Sequence, residues 1–171
     1  MAVLPVLAAD KPVLRQKAKK VSIIDSSIQR LIDDMIETCA AVGGVGLAAP
    51  QVGVPLRIAV IELPDEEPRV LINPEIVKTS GERTVEEGCL SLPGYRGTII
   101  RSEKVTAKAL DRKGRAVRIK AEGLLAQALQ HEIDHINGVL YFDHLESIDE
   151  LERVEAMRET LIEEKADRTT E

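Results

Sequence analysis

Tryptophan is absent from this chain of 171 residues, and its aromatics amount to one Phe and two Tyr. Any core must therefore be built from Val, Ile, Leu and Ala. No apolar run approaches the roughly 20 residues a bilayer requires, so no membrane span is expected. Cysteine is scarce, with only Cys39 and Cys89. The opening Met1–Ala9 stretch is broken by Pro5 and lacks a charged leader, so it reads as an extended segment rather than an export signal. A reducing, cytoplasmic setting follows, and there the two thiols are not expected to pair. Positive charge is also in deficit: the net charge is −6. That argues against a broad footprint for DNA, although a local basic patch such as Lys11 to Lys20 remains.

Against these absences stands a soluble, single-domain composition, 44% hydrophobic and 30% charged, long enough to bury a core. Residues 1–171 show no linker and no internal repeat, so one domain is expected. Ile28, Leu31, Ile32, Met35, Ile36 and Cys39 recur at helical spacing. They predict an amphipathic helix opened by Ser26 or Ser27 and stopped by Gly43-Gly44, with Cys39 as a small core residue.

Strand signals follow over 56–63, 70–72, 76–79 and 83–86, separated by Pro and Gly. Lys104 to Leu110 and Val117 to Lys120 flank an Asp111-Arg112-Lys113-Gly114 turn, the pattern of an antiparallel hairpin with one wet face. A largely apolar helix is expected over about 122–137 with Gly138 as its stop. Ser147 to Glu150 has the form of a capping box opening a last helix, with Ile148, Leu151, Val154 and Leu161 on one side. Helix, then strands, then helices gives α+β: small antiparallel or mixed sheets around a buried central helix, with an N-terminal and a C-terminal helix. The segment 147–171 holds nine acidic residues against four basic ones, an acidic amphipathic helix and tail.

Histidine is rare as well, and two of the three fall in His131-Glu132-Ile133-Asp134-His135 on the central helix. Residues i and i+4 share a helix face, so both imidazoles can hold one divalent metal, with Glu132 beside them as general base. Chance HExxH strings on solvated helices are common, but the apolar stretch before this one argues for burial, and a metal removes the cost of burying two imidazoles.

A catalytic metal needs a third protein ligand. The extended pattern HExxHxxGxxH finds Gly138 in place but Tyr141 where a histidine is required. Glu155 or Glu159 would serve a peptidase-like site, though both belong to an acid-rich helix better read as a solvated face. His144 lies beyond the helix stop. Cys89 is better placed, in a Gly- and Pro-bounded loop, Glu87 to Gly94. A further segment, Gly44 to Gln51, is too apolar for a phosphate loop. Its small residues suit a backbone wall along an extended peptide, ending in an amide donor.

Taken together, GVGLAAPQ (44–51), EGCLS (87–91) and HEIDH (131–135) closely resemble the ordered motifs of the peptide deformylases. ADKPVLRQKAKKV (9–21) and NGVLYFDHL (137–145) extend the likeness to about residue 145. The resemblance implies a metal held by Cys89, His131 and His135, with water in the open fourth position. Fe(II) is the family's typical ion, and Zn(II), Ni(II) or Co(II) are substitutes that this donor set also suits. It implies hydrolysis of the formyl group of N-formylmethionyl nascent peptides, with Glu132 moving the proton and Gln51 and the Leu90 N–H stabilising the oxyanion. Val45, Gly46 and Gly88 would lie along the substrate, and Leu124, Gln127 and Ala128 would face the methionine side chain. Asp134 is expected to act as an orienting or ion-pairing group with Arg101. The acidic tail is unsuited to docking on ribosomal RNA, so any ribosome contact would be transient, and a monomer is expected. Two other readings remain at this point: a zinc peptidase completed by Glu155 or Glu159, and a structural metal- or peptide-binding module.

Overall fold

The computed structural model describes residues 2–154; Met1 and residues 155–171 lie outside the described part. Its strands are β1 (Gly46–Ala48), β2 (Ile58–Ile61), β3 (Arg69–Ser80), β4 (Arg83–Cys89), β5 (Leu92–Arg101), β6 (Lys104–Leu110), β7 (Ala116–Glu122) and β8 (Glu152–Arg153). They form two antiparallel sheets, ordered β1-β2-β3-β6-β7 and β4-β5-β8. Helix α1 (Ser26–Ala41) packs on β1 and β2, and α2 (Gly123–Ile136) on β1, β2, β3, β6 and β7. The α+β class is therefore as the sequence predicts.

The continuous apolar run of β2 reflects burial on both faces. Alternate side chains point to opposite sides of a strand. Ile58 and Val60 join the α1 cluster with Ile32, Met35 and Cys39. Ala59 and Ile61 join the α2 cluster with Leu129, Ile133 and Ile136. Alanines on the sheet (Ala107, Ala109, Ala121) meet Ala126 and Ala128 of the helix, so α2 seats closely without aromatic filler. Farther along, β6 alternates in the other sense: Val105, Ala107 and Ala109 are buried while Lys104 and Lys108 face water.

The N-terminal cap of α1 is Asp25, whose carboxylate accepts from Ile28 N at 3.1 Å, rather than Ser26 or Ser27. Ser27 Oγ instead donates to Asp25. The separate strands expected at 70–72 and 76–79 are one strand, β3, whose register shifts twice against β6. The alternation breaks at those irregularities and hides its continuity. Strand β5 is not evident from the sequence, because Pro93, Gly94 and Gly97 read as loop punctuation.

The segment expected to open a C-terminal helix at Ser147 begins differently, and the helix expected beyond residue 154 lies outside the described residues. Ser147 Oγ accepts from Asp149 N, but it heads only a single 3-10 turn, Ile148–Glu150, followed by β8 against β5. Leu161, Glu155, Glu159 and the acidic tail lie outside the described residues.

Three ties fix α2. Its C-terminal end is met by Arg57, which donates to Asn137 Oδ1 at 3.1 Å and to Ile136 O. A cation there also complements the helix dipole. Gln130 accepts from Ser102 N and donates to Ser102 O, locking the helix to the β5–β6 turn. Gly138 ends the helix at φ +78°, where a Cβ would sit 2.8 Å from Arg15 O.

Candidate active site

Residues from three elements converge at one end of α2. The motif's helical spacing puts His131 and His135 on one face, buried at 9% and 1% exposure. Cys89 closes β4 beside them, so that its Sγ lies 3.2 Å from His135 Nε2, which is in turn 3.2 Å from His131 Nε2. Among the described residues this is the group of three ligand-type side chains whose donor atoms all lie within 4.8 Å of one another.

Glu87 orients the first histidine. His131 Nδ1 lies 2.7 Å from Glu87 Oε2, within hydrogen-bond reach of that carboxylate, and its Nε2 faces the cluster. Burial alone would raise the Glu87 carboxyl, but hydrogen bonds from His131 and Arg101 outweigh it and hold Glu87 at about 2. Arg101 grips both carboxylate oxygens of Glu87, at 3.1 and 2.6 Å, and also Asp134 Oδ2 at 2.6 Å. His144 Nε2 lies 2.8 Å from the same Asp134 oxygen. The Asp134–Arg101 pair was foreseen. Glu87 and His144 were not given roles, although an acid two residues before a candidate thiolate ligand was a readable signal. Carboxylate partners of this kind fix the tautomer of ligating histidines.

The donor set fits a divalent metal. A thiolate and two imidazoles are a familiar ligand chemistry, and a metal held by these three side chains would have room for a water or substrate atom as a further ligand. Burial, and then the neighbouring His131, push the His135 imidazole well below its ordinary range, so it is neutral and available. Two buried atoms here, Glu132 Oε2 and His135 Nδ1, have no hydrogen-bond partner within the protein. Burial raises the Glu132 carboxyl to about 7.

Cys39 is the contrasting thiol. It is fully buried on α1, lies 3.3 Å from Gly44 O, and burial pushes its pKa up to about 12. It is a core residue and no ligand.

A cavity of about 470 Å³ opens on this centre. Cys89, His131 and Glu132 line it together with Gln51 and Leu90. Val45 and Gly46 line one side, Gly88 the facing strand, and Leu124, Gln127 and Ala128 the helix side. His135 is not part of the lining but touches Cys89 and His131, which are. Gln51 is fixed at both ends: Oε1 accepts from Ala48 N at 3.0 Å, and Nε2 donates to Ser91 Oγ at 3.1 Å and points at Cys89 Sγ, 3.6 Å away. Ser91, buried and unassigned from sequence, is thus the residue that steers the amide. Gln127 Nε2 donates to Glu86 O and Glu87 Oε1, at 3.2 and 3.3 Å.

Comparison with known proteins gives a consistent result. Residues 3–151 match the family described as polypeptide deformylase. A peptide deformylase of Dehalococcoides mccartyi is 59% identical over 155 residues, covering 90% of this chain and 93% of the relative. One from Halothermothrix orenii is 52% identical, over 88% and 98% of the two chains. Among solved structures, a peptide deformylase from Legionella pneumophila superposes with a TM-score of 0.84 at 46% identity, covering 99% of each chain. One from Synechococcus elongatus, in complex with actinonin, gives 0.83 at 44% identity, covering 86% of this chain and 81% of that one.

Proposed function

The chain belongs to the polypeptide deformylase family, and from that premise we propose that Cys89, His131 and His135 hold its metal and that Glu132 carries the proton. The family removes the N-formyl group from nascent peptides and is metal-dependent. The observation that carries the assignment is the convergence of one thiol, two imidazole Nε2 atoms and the unpartnered Glu132 Oε2 in one cavity. Iron(II) is the proposed native ion, with zinc, nickel or cobalt as substitutes. When bound, the ion would supply Lewis acidity toward the formyl carbonyl and would make a water nucleophilic near neutral pH.

The chain's own residues do the rest. Glu132 accepts a proton from the attacking water and delivers it to the departing amine nitrogen. Its buried position keeps the carboxyl near neutrality, which suits both directions of transfer. Gln51 Nε2 and the Leu90 N–H donate to the oxygen that gains charge. The peptide runs between Val45-Gly46 and Gly88, and the methionine side chain enters beside Leu124, Gln127 and Ala128. The amide of Gln127 is engaged by β4, which leaves its methylenes to face the methionine side chain. We further read the chain as a single-domain, monomeric, cytoplasmic enzyme; among the described residues no helix is long and apolar enough to cross a membrane.

The direct test is formate release from a formyl-Met peptide by protein purified anaerobically, with metal content measured on the same sample. No release from a metal-loaded, folded protein would overturn the reading.

Two variants probe the surroundings. Gln51→Ala is expected to lower kcat about 10²–10³-fold with metal content unchanged, as for loss of one oxyanion donor. A rise confined to KM would show that Gln51 only binds substrate. Gly46→Ala would place a Cβ 2.6 Å from Glu132 Oε1. The carboxylate must then move, and the expected outcome is a fall in kcat at a stability cost of about 1–3 kcal/mol. Unchanged turnover would mean that Glu132 does not need its present position.

A further inference from the structure

The outer face of β3, β6 and β7 carries a charge opposite to that of the molecule. Residues 104–122, the β6–β7 hairpin, contain seven basic and two acidic side chains, a net of +5 in a chain of net −6. The strand register gathers the cations. Lys78, Thr106 and Lys120 stand abreast across the three strands, and Ser80, Lys104 and Glu122 form the next row. Arg118 lies opposite Lys108, whose ammonium pairs with Glu75 at 3.5 Å. Among the described residues Lys78, Lys104, Arg118 and Lys120 have no ion-pair partner. These four line a groove of about 590 Å³ whose other polar groups include the hydroxyls of Thr79, Ser80 and Thr106.

We propose that this groove docks the phosphate backbone of RNA. Four unpaired cations interleaved with hydroxyl donors are the equipment of sequence-independent phosphate binding. Protein interfaces are organised on buried aromatic or aliphatic anchors, and this face offers no aromatic side chain. Surface attachment to a bilayer calls for an apolar face beneath the charges, and Val77 is the only large apolar side chain exposed there.

Position adds a second argument. β7 runs directly into α2, so Glu122 in the groove is two residues from Leu124 at the catalytic cavity. RNA held in the groove therefore lies along the strand that leads to the mouth of the site. Nascent peptides, the family's substrates, emerge from an RNA-rich particle, and the docking keeps the enzyme near its source of substrate.

The test is fluorescence anisotropy of labelled oligo(U) RNA titrated with the full chain across a salt series. Wild type is expected to bind with an affinity that falls steeply with salt, a log–log slope of about −3 for four contacts at 0.7 each. The variant K78Q/K104Q/R118Q/K120Q should lose that slope and at least about tenfold in affinity at low salt. It should still release formate from a free formyl-Met peptide at the wild-type rate, since none of the four touches the catalytic cavity. A control, K11Q/K17Q/K20Q, removes charge from the other basic segment and should bind as wild type does. Loss in the control instead of the groove variant would overturn the proposal. So would the absence of salt-dependent RNA binding by wild type, or tighter binding to phosphatidylglycerol vesicles than to RNA. Failure of the deformylase reading would appear separately, as absent formate release with RNA binding intact.

Discussion

Replacing Cys89 with alanine is expected to strip the protein of its metal and to end formate release, a loss of about 10³-fold or more, roughly 4 kcal/mol of barrier. The thiol is the one proposed ligand outside the helix, and it alone contributes a formal negative charge. Without it, two neutral imidazoles remain, fewer than the three protein ligands a catalytic site of this kind uses. The neighbourhood does not offer a replacement. Glu87 is committed to His131 and Arg101, and Asp134 to Arg101 and His144. Cys39→Ala is the matched control. Its thiol is sealed in the α1 cluster, and burial holds it protonated, so that variant should keep one equivalent of metal and its activity. Metal analysis and formate release on both proteins, with thermal unfolding to verify the fold, decide the matter. A Cys89→Ala protein that retains stoichiometric metal and turns over would remove the thiol from the site.

The ligand set was legible because it depends on chemistry that is local in sequence. Helical spacing brings His131 to His135, and glycine beside Cys89 marks a backbone that approaches something closely. The groups that make those ligands work were harder to read. The Asp134–Arg101 pair is expected from sequence, but Glu87 of β4 and His144 of the 3-10 turn Tyr141–His144 join it from distant segments, and their spacing does not show that all four meet. Ser91 is similar: its role is visible only once Gln51, forty residues earlier, is seen to lie 3.1 Å away. In the fold, periodicity found α1, α2 and the β6–β7 hairpin, whose faces have clear partners. It missed β5, because Pro93, Gly94 and Gly97 read as loop punctuation in a strand whose first residues line the cavity, and it split β3 at its register shifts. It also ran the capping signal at Ser147 straight into a helix, where a 3-10 turn and the pairing of Glu152–Arg153 with β5 come first.

Glu132→Gln is expected to cost about 10²–10⁴-fold in kcat while leaving the metal in place, the range associated with loss of a general acid–base group. The amide keeps the volume against Gly46, so the change isolates the carboxylate's proton chemistry from packing. The same substitution is expected to stabilise the metal-free protein. Glu132 is 3% exposed with one oxygen unpartnered, and a buried carboxylate in that state costs more than a buried amide. Relief of about 1 kcal/mol would raise Tm by about 2–4 °C for a domain of this size. The two readouts move in opposite directions only if the side chain is held for chemistry at the expense of stability. If Glu132 were a structural group, Glu132→Gln would lower Tm along with activity. Thermal unfolding of the metal-free variant beside its kcat therefore separates a proton carrier from a packing residue. A fall in both would return the proton transfer to another group at the cavity.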